Sequence, residues 1–200
     1  MASKILTESE VRSIGYTGTA TANLLCTYSR AKAFGCTAAS GVSLADNQLV
    51  WEGSVVVAHP YVYLGGKYWS TVNVGASSAT AYGNYYTWSG TDPATSAWGS
   101  AWRTPTKADW DALLSGTTHT WTSQSGVNGV KFTSGSTSMF VPAAGAIESG
   151  TTKYAGSMIA YWSKTQYSGD LYYCFYGNSS GHQVSTYHNY FQLTVRPVLA

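Results

Sequence analysis

The chain has 200 residues, of which only 10% are charged, and its net charge is +2. With no run of basic residues, this composition excludes the electrostatic footprint of a nucleic-acid-binding protein. Its 21 glycines and 16 tyrosines, together with many serines and threonines, favour numerous strands and turns over long helices.

The three cysteines, Cys26, Cys36 and Cys174, are odd in number and lack CxxC spacing. This pattern predicts neither a disulfide framework nor a zinc site. The first ten residues contain no apolar signal-peptide core, and no apolar run approaches the roughly 20 residues of a membrane helix. We therefore expect no membrane insertion and a chain that is cytoplasmic when made, although a virion component released by lysis would have the same features.

Residues 1–57 contain a weak internal repeat, in which residues 7–17 align with residues 27–37. Each unit predicts a threonine N-cap, a short helix that ends at Gly15 or Gly35, a polar turn and a short apolar strand. We predict a small N-terminal docking or assembly module with two helix–turn–strand repeats. An N-terminal extension packed on the main domain is the alternative.

Residues 58–200 form the predicted main domain. Strands are expected at residues 61–64 and 68–72, around the turn Gly65–Gly66. Residues 81–88 are expected to form a loop or short strand. Thr106 is expected to cap a helix that runs to Leu114, with Asp109 completing the cap. A hairpin-like turn at 126–129 and a strand at 138–142 follow.

The C-terminal segment is predicted to contain strands at residues 160–163, 171–176 and 191–195. Strand alternation places Leu171, Tyr173 and Phe175 toward the core, as it does Phe191, Leu193 and Val195. Tyr172, Cys174 and Tyr176 would then point outward. Residues 177–185 are predicted to form an exposed loop and residues 186–190 a turn, while Trp162 and Arg196 are assigned to the scaffold, with Arg196 satisfying buried carbonyls.

Residues 171–195 contain no Asp, Glu, Lys or Arg but are rich in Tyr, Ser, Asn and His. Binding surfaces use this mixture, because Tyr supplies rigid amphipathic area and the small polar residues supply adaptable hydrogen bonds. The candidate ligand-binding residues are Tyr167, Ser168, Asp170, Tyr172, Cys174, Tyr176, Asn178, Ser179, Ser180, His182, Tyr187, His188 and Tyr190.

Several phrases occur in an order that resembles a known group of proteins. They are YWSTVNVGA at residues 68–76, YGNYYTW at 82–88, WRTPTKADW at 102–110, GVNG at 126–129, FVPAAG at 140–145, YWS at 161–163 and VRPV at 195–198. Residues 60–200 thereby resemble the major-paralogous-domain family of gut bacteria and the variable proteins of diversity-generating retroelements. Both groups have the C-type-lectin-like fold, in the branch shared with formylglycine-generating enzymes.

The resemblance implies an α+β, C-type-lectin-like fold with short antiparallel strands, few short helices and long loops. In such variable proteins, error-prone copying at adenines diversifies the end of the gene, which here would correspond to about residues 160–192. It also implies a phage receptor-binding or tail-associated protein that recognises a host-surface protein or glycan. The expected location is the virion, or the host cytoplasm before assembly, and a homotrimer is the family-level expectation.

Other functions are less well supported by the residues. The formylglycine-generating relatives use cysteines in the C-terminal half, where this chain has only Cys174, and the histidines lack HExxH spacing. Glu148 and Asp170 do not make a carboxylate cluster for calcium. We therefore expect no enzyme activity, no cofactor and no metal. A bacterial surface adhesin and a fixed structural tail protein remain open as alternatives.

Overall fold

The computed structural model describes residues 61–98 and 102–199, so the predicted module of residues 1–57 lies outside this part. The described chain is mostly antiparallel β-structure with two short helices, α1 (Pro93–Trp98) and α2 (Lys107–Ser115). The strands are β1 (Tyr61–Leu64), β2 (Lys67–Ser70), β3 (Tyr86–Thr87), β4 (Trp102–Arg103), β5 (Thr118–Gln124), β6 (Val127–Ser134), β7 (Thr137–Pro142), β8 (Ala146–Glu148), β9 (Thr151–Lys153), β10 (Ile159–Ser168), β11 (Leu171–Asn178), β12 (Gly181–His188), β13 (Gln192–Leu193) and β14 (Val198–Leu199).

The described strands form four small sheets. Their orders are β1-β2-β14-β4, β3-β13-β8-β9, β5-β6-β7 and β10-β11-β12. A parallel bridge between Tyr161 and Thr194 joins β10 to the segment after β13. The C-terminal segment thus contributes to two sheets and contacts a third, which ties the end of the chain into the frame.

Helix α2 confirms the prediction that Thr106 and Asp109 cap a helix. The side chain of Thr106 accepts a hydrogen bond from the Asp109 backbone N–H at 3.1 Å, and the Asp109 carboxylate accepts one from the Thr106 backbone N–H at 2.8 Å. Arg103 also donates to that carboxylate at 2.6 Å. Trp110 and Leu113 are fully buried, so the helix packs an apolar face into the core.

Helix α1 was not predicted from the sequence. The side chain of Asp92 accepts hydrogen bonds from the backbone N–H groups of Ala94 and Thr95 at 3.0 and 3.3 Å. Pro93 occupies the first helical position, where its fixed φ is favourable and its missing N–H costs nothing. The pair Asp92–Pro93 is therefore a helix-start signal in the sequence.

Two hydrophobic clusters lie on opposite sides of the sheet β10–β11–β12. One includes Tyr161 and Phe175, and the other includes Ala160, Trp162 and Cys174. Neighbouring residues of β10 enter different clusters because side chains alternate between the faces of a strand. This sheet is therefore the central layer of the described structure, and the predicted role of Trp162 as scaffold is confirmed.

Arg196 is fully buried and donates to two backbone carbonyls. Its Nη1 lies 3.2 Å from the Ser70 oxygen and its Nη2 lies 3.1 Å from the Phe140 oxygen. Burial lowers the pKa of Arg196 to about 10. The prediction that this residue satisfies buried carbonyls is confirmed, and its hydrogen bonds hold the C-terminal segment against β2 and β7.

The predicted loop at residues 177–185 and turn at 186–190 are wrong. Residues Gly181–His188 instead form β12, which pairs with all of β11. The Asn178 side chain accepts a hydrogen bond from the Ser180 backbone N–H at 2.8 Å and so shapes the tight turn between the strands. The strand predicted at 191–195 is also shorter, since only Gln192–Leu193 belongs to β13.

Candidate functional site

The sheet β10–β11–β12 carries or flanks all of the predicted binding residues. Residues of β11 and β12 are directly opposed from Leu171 and His188 at one end to Asn178 and Gly181 at the other. Opposed residues share a face of the sheet. The face on which α2 packs is called the helix face, and it carries Tyr173, Phe175, His182, Val184 and His188. The opposite face is called the cleft face, and it carries Tyr172, Cys174, Tyr176 and Tyr187.

On the helix face, Phe175 is buried in the core as predicted. Its ring stacks on that of Trp110 with centroids 4.9 Å apart. Leu171 and Tyr173, also predicted to face the core, are only half-buried. Tyr173 lies against the Tyr167 ring at 5.4 Å and beneath the Lys107 ammonium group at 5.4 Å. The core therefore covers only the middle of this face.

The outward position predicted for Cys174 is wrong. The side chain is fully buried and belongs to the cluster that contains Trp162 and Leu193. Strand alternation separated the faces of β11 correctly, but both faces are covered at its middle, so alternation did not separate inside from outside. Burial raises the pKa of the Cys174 thiol to about 12, and the thiol is therefore protonated at neutral pH.

A cleft of about 550 Å³ opens at the β11–β12 turn, on the cleft face. Five predicted residues line one side of it: Tyr176, Asn178, Ser179, Ser180 and Tyr187. Tyr154, Ser157 and Met158, from the segment between β9 and β10, line the other side. Two parts of the chain that are distant in sequence therefore form a single concavity.

The Tyr154 wall of the cleft is held in a defined conformation. The Tyr154 carbonyl accepts hydrogen bonds from the backbone N–H groups of Ser157 and Met158, both at 3.0 Å. The Gly156 N–H donates to the Ala143 carbonyl at 2.7 Å, which fixes the segment to the frame. Tyr154 has a φ of 58°, unusual for a bulky residue, and its side chain is 65% exposed. The fold thus presents an open aromatic ring at the rim of the cleft.

The lining of the cleft is polar but contains no Lys, Arg, Asp or Glu among the described residues. Burial raises the pKa of Tyr187, and the neighbouring ionisable groups of Tyr176, Cys174, Glu148 and Tyr154 raise it further. The Tyr187 hydroxyl therefore keeps its proton at neutral pH and can donate a hydrogen bond. The cleft offers aromatic rings, hydroxyls and an amide, a set suited to an uncharged ligand.

A continuous series of ring contacts runs from the cleft across the sheet edge. Tyr176 lies 5.9 Å from Tyr187, Tyr187 lies 4.7 Å from Phe191, and Phe191 lies 4.9 Å from Tyr190. Phe191, predicted to face the core, is half-buried and links the exposed rings. Tyr172 is also half-buried and packs on Trp88 at 5.6 Å, so it supports this surface from below.

Five other predicted residues gather at the other end of the sheet, around the β10–β11 turn. Nδ1 of His188 lies 2.9 Å from the Asp170 carboxylate, and its ring stacks on Tyr190 with centroids 5.0 Å apart. The hydrogen bond to His188 lowers the pKa of Asp170. Tyr167 and Ser168 are exposed beside this pair. The structure thus divides the predicted surface between the two ends of β11.

His182 belongs to neither group, because it lies near the cleft end of the sheet but on the helix face, away from the cleft. Its Nε2 is 2.6 Å from Nδ1 of His119 on β5. The ring also contacts Phe175 edge-on, with centroids 5.8 Å apart. His182 had been assigned to the outward surface together with the cleft residues, but it is half-buried and connects two hairpins.

Sequence reasoning missed Tyr154, Ser157, Met158 and His119. Tyr154 does carry a usable signal, since it is an aromatic residue next to the stretch of small residues Ala155–Ser157. Nothing in the sequence places that stretch opposite the β11–β12 turn, because the contact depends on how β9 and β10 are arranged. The proximity of His119 to His182 likewise depends on tertiary structure.

Comparisons with protein-family models, with curated proteins and with solved structures found no match. Within residues 61–98 and 102–199, no group of three or more His, Cys, Asp or Glu side chains is placed to hold a metal ion. None of the helices described there is long and apolar enough to cross a membrane.

Proposed function

We propose that the protein binds an uncharged host-surface ligand, a protein or glycan segment, with the cleft face of β10–β11–β12. The observation that carries this proposal is the cleft itself, with three tyrosines and several small polar residues around an uncharged cavity. A buried layer of Cys174, Trp162 and Leu193 supports it from below. Exposed rings on a rigid base bind with little loss of conformational entropy.

We further propose that this surface is the diversified region of a retroelement variable protein with a C-type-lectin-like frame. On that proposal the protein is phage receptor-binding or tail-associated, is carried on the virion and contributes no enzyme activity. The division of the chain between buried frame residues and a Tyr/Ser/Asn/His-rich hairpin supports this reading. Five of the thirteen predicted residues line the cleft, and five more gather at the opposite turn.

The genetic part of the proposal is tested by the DNA around the gene. We expect a nearby non-coding repeat of the 3′ end of the gene that differs from it almost only at adenines of the repeat, beside a reverse-transcriptase gene. A flanking sequence without such a repeat would remove the retroelement reading. It would leave the binding proposal standing on the cleft.

The binding part is tested by screening the chain against an array of neutral surface glycans and a displayed library of bacterial surface proteins. For any ligand found, the combined variant Tyr154→Asn and Tyr176→Ser should weaken binding at least tenfold. Asparagine tolerates the left-handed backbone at position 154, so the segment should keep its shape. Tyr63→Ser is the matched control, because Tyr63 is 56% exposed and lies on β1, outside the cleft.

The structural-subunit alternative makes a different prediction for the same variants. If the aromatic surface is a fixed contact between subunits, the combined variant should change the sedimentation coefficient of the protein, and the screen should find no ligand. Unchanged affinity for a ligand identified in the screen would contradict the cleft as the binding site.

A further inference from the structure

His119 and His182 join the fixed part of the molecule to the hairpin that carries the cleft. His119 lies on β5, in the sheet β5–β6–β7, and His182 lies on β12, two residues after Ser180 at the cleft. Nδ1 of His119 and Nε2 of His182 are 2.6 Å apart. Two nitrogens at this distance share one proton, since one ring must donate and the other accept.

The space around His182 is closely fitted. Gly177 is opposite His182 on β11, and a Cβ at Gly177 would collide with the Cα and Cβ of His182. Phe175 contacts the His182 ring at 5.8 Å, and Phe132 contacts the His119 ring at 6.0 Å. The pair therefore lies between apolar rings and has little room to rearrange.

The second nitrogen of His182 decides which proton arrangement is stable. Nδ1 of His182 is buried and has no hydrogen-bond partner in the described part of the chain. A proton there would be a buried donor without an acceptor, which is costly. The favoured arrangement therefore has His182 neutral, with its Nε2–H donating to His119.

Among residues 61–98 and 102–199, no charged group beside the pair compensates a second proton. The charged residues of α2, which packs on β5 and β12, are engaged elsewhere: Lys107 pairs with Asp111, and Asp109 pairs with Arg103. On β6, Lys131 is opposite Thr120 and so points to the other face from His119. The residues of these strands nearest the pair on its own faces, Trp121, Val130, Phe132, Phe175 and Val184, are apolar. The two other titratable residues of the helix face lie toward the far end of the sheet, where Tyr173 is beside Lys107 and His188 is bonded to Asp170.

We propose that the His119–His182 pair is a proton-sensitive latch, which holds the β11–β12 hairpin to the β5–β6 hairpin at neutral pH and releases it on acidification. A proton added at His119 Nδ1 leaves both rings without an acceptor at their contact, and a proton added at His182 Nδ1 is buried without an acceptor. Protonation at either site therefore destabilises the contact between the hairpins. The released segment includes Asn178, Ser179 and Ser180 of the cleft. Control of ligand binding by this latch rests on the proposed function, whereas the latch itself does not.

The direction of the pH effect follows from the environment. Burial, and then the neighbouring His119, lower the pKa of His182 below its usual range. Because the folded pKa is depressed, the latch contributes fully above the unfolded histidine pKa of about 6.5. Its contribution falls as the pH drops below that value, until the folded pKa is reached.

The latch is tested by hydrogen exchange of the full chain at pH 7.5 and pH 5.0, with rates corrected for the intrinsic effect of pH. We expect amide protection over residues 177–184 to fall at least tenfold at the lower pH. In the double variant His119→Gln and His182→Gln the change should be less than twofold. The control His188→Gln, which alters the exposed partner of Asp170, should keep the wild-type response.

Two outcomes would overturn the latch: equal protection of the wild-type hairpin at both pH values, or a drop of the same size in the double variant. Should the double variant fail to fold, imidazole nitrogen NMR of the wild type decides the question. We expect one neutral, proton-sharing pair that titrates below pH 6.5, and two rings that titrate independently near that value would refute it. A wild-type chain that binds its ligand but shows no pH response in hydrogen exchange would reject the latch and leave the proposed function standing.

Discussion

Cys174 shows how a residue can be polar in its chemistry and structural in its role. Its thiol lies beside Trp162 in a buried layer that supports the cleft, and burial raises its pKa to about 12. Only thiolates react readily with disulfide reagents and alkylating agents. The thiol of Cys174, in the middle of a tyrosine-rich strand, is therefore expected to be unreactive in the folded protein.

We predict that Cys174 in the folded protein does not react with an aromatic disulfide reagent at pH 8 or at pH 9. The experiment uses a background in which Cys26 and Cys36 are replaced by serine, so that Cys174 gives the whole signal. Addition of denaturant should release one reactive thiol per chain. Rapid reaction without denaturant would show that the cleft face opens at its centre.

Gly177 and Gly181 belong to one hairpin but differ in the space available for a side chain. A Cβ at Gly177 would collide with His182 and with the Gly181 carbonyl, whereas a Cβ at Gly181 would meet nothing within 4 Å. The first position is therefore determined by close packing between β11 and β12. The second has space for a side chain.

At the scale of the hairpin, we predict that Gly177→Ala lowers the free energy of unfolding by about 1–3 kcal/mol, as overpacking does. Gly181→Ala is the matched control and should change it by no more than about 0.5 kcal/mol. Urea denaturation followed by tryptophan fluorescence measures both. Equal effects of the two substitutions would contradict the close contact between Gly177 and His182.

Elements with local signals could be predicted from sequence, and those that depend on distant contacts could not. Thr106 and Asp109 cap α2 through residues three apart, so their pattern was readable, as was the turn at Gly65–Gly66. Strand β12 is polar along its length and exists because β11 pairs with it. Its sequence alone therefore resembled a loop.

The candidate site followed the same division. The residues of the β11–β12 turn were recognised by composition, because Asn178, Ser179 and Ser180 belong to an uncharged polar stretch. The opposite wall at Tyr154 was not, since its contact with that turn arises only when β9 and β10 are in place. The burial of Cys174 was missed because a strand between two core clusters has no solvent face at its middle.

The whole described molecule is organised around the sheet β10–β11–β12, which has a hydrophobic cluster on each side. Trp162 belongs to the cluster beneath the cleft, and its indole N–H donates to the Tyr86 carbonyl at 2.6 Å. It therefore links the central sheet to β3. Removing its side chain affects both packing and this hydrogen bond.

We predict that Trp162→Ala lowers the free energy of unfolding by about 3–5 kcal/mol, through the cavity it leaves. Tyr167→Ala, at an exposed position of the same strand, should cost about 1 kcal/mol or less. Chemical denaturation with circular dichroism compares them. The reverse order would contradict the assignment of Trp162 to the frame and Tyr167 to the surface.

The predicted binding residues lie mostly around two turns, β10–β11 and β11–β12, at opposite ends of β11. An eight-residue strand spans roughly 23 Å between its ends. Substitutions that far apart usually act additively. Substitutions at Ser179 and Ser180 should therefore act independently of those at Tyr167 and Ser168, whereas Tyr187 and Tyr190 are joined through Phe191 and are expected to couple. For such independent positions, the number of distinct surfaces is the product of the variants available at each turn. Each turn can nevertheless be optimised by itself.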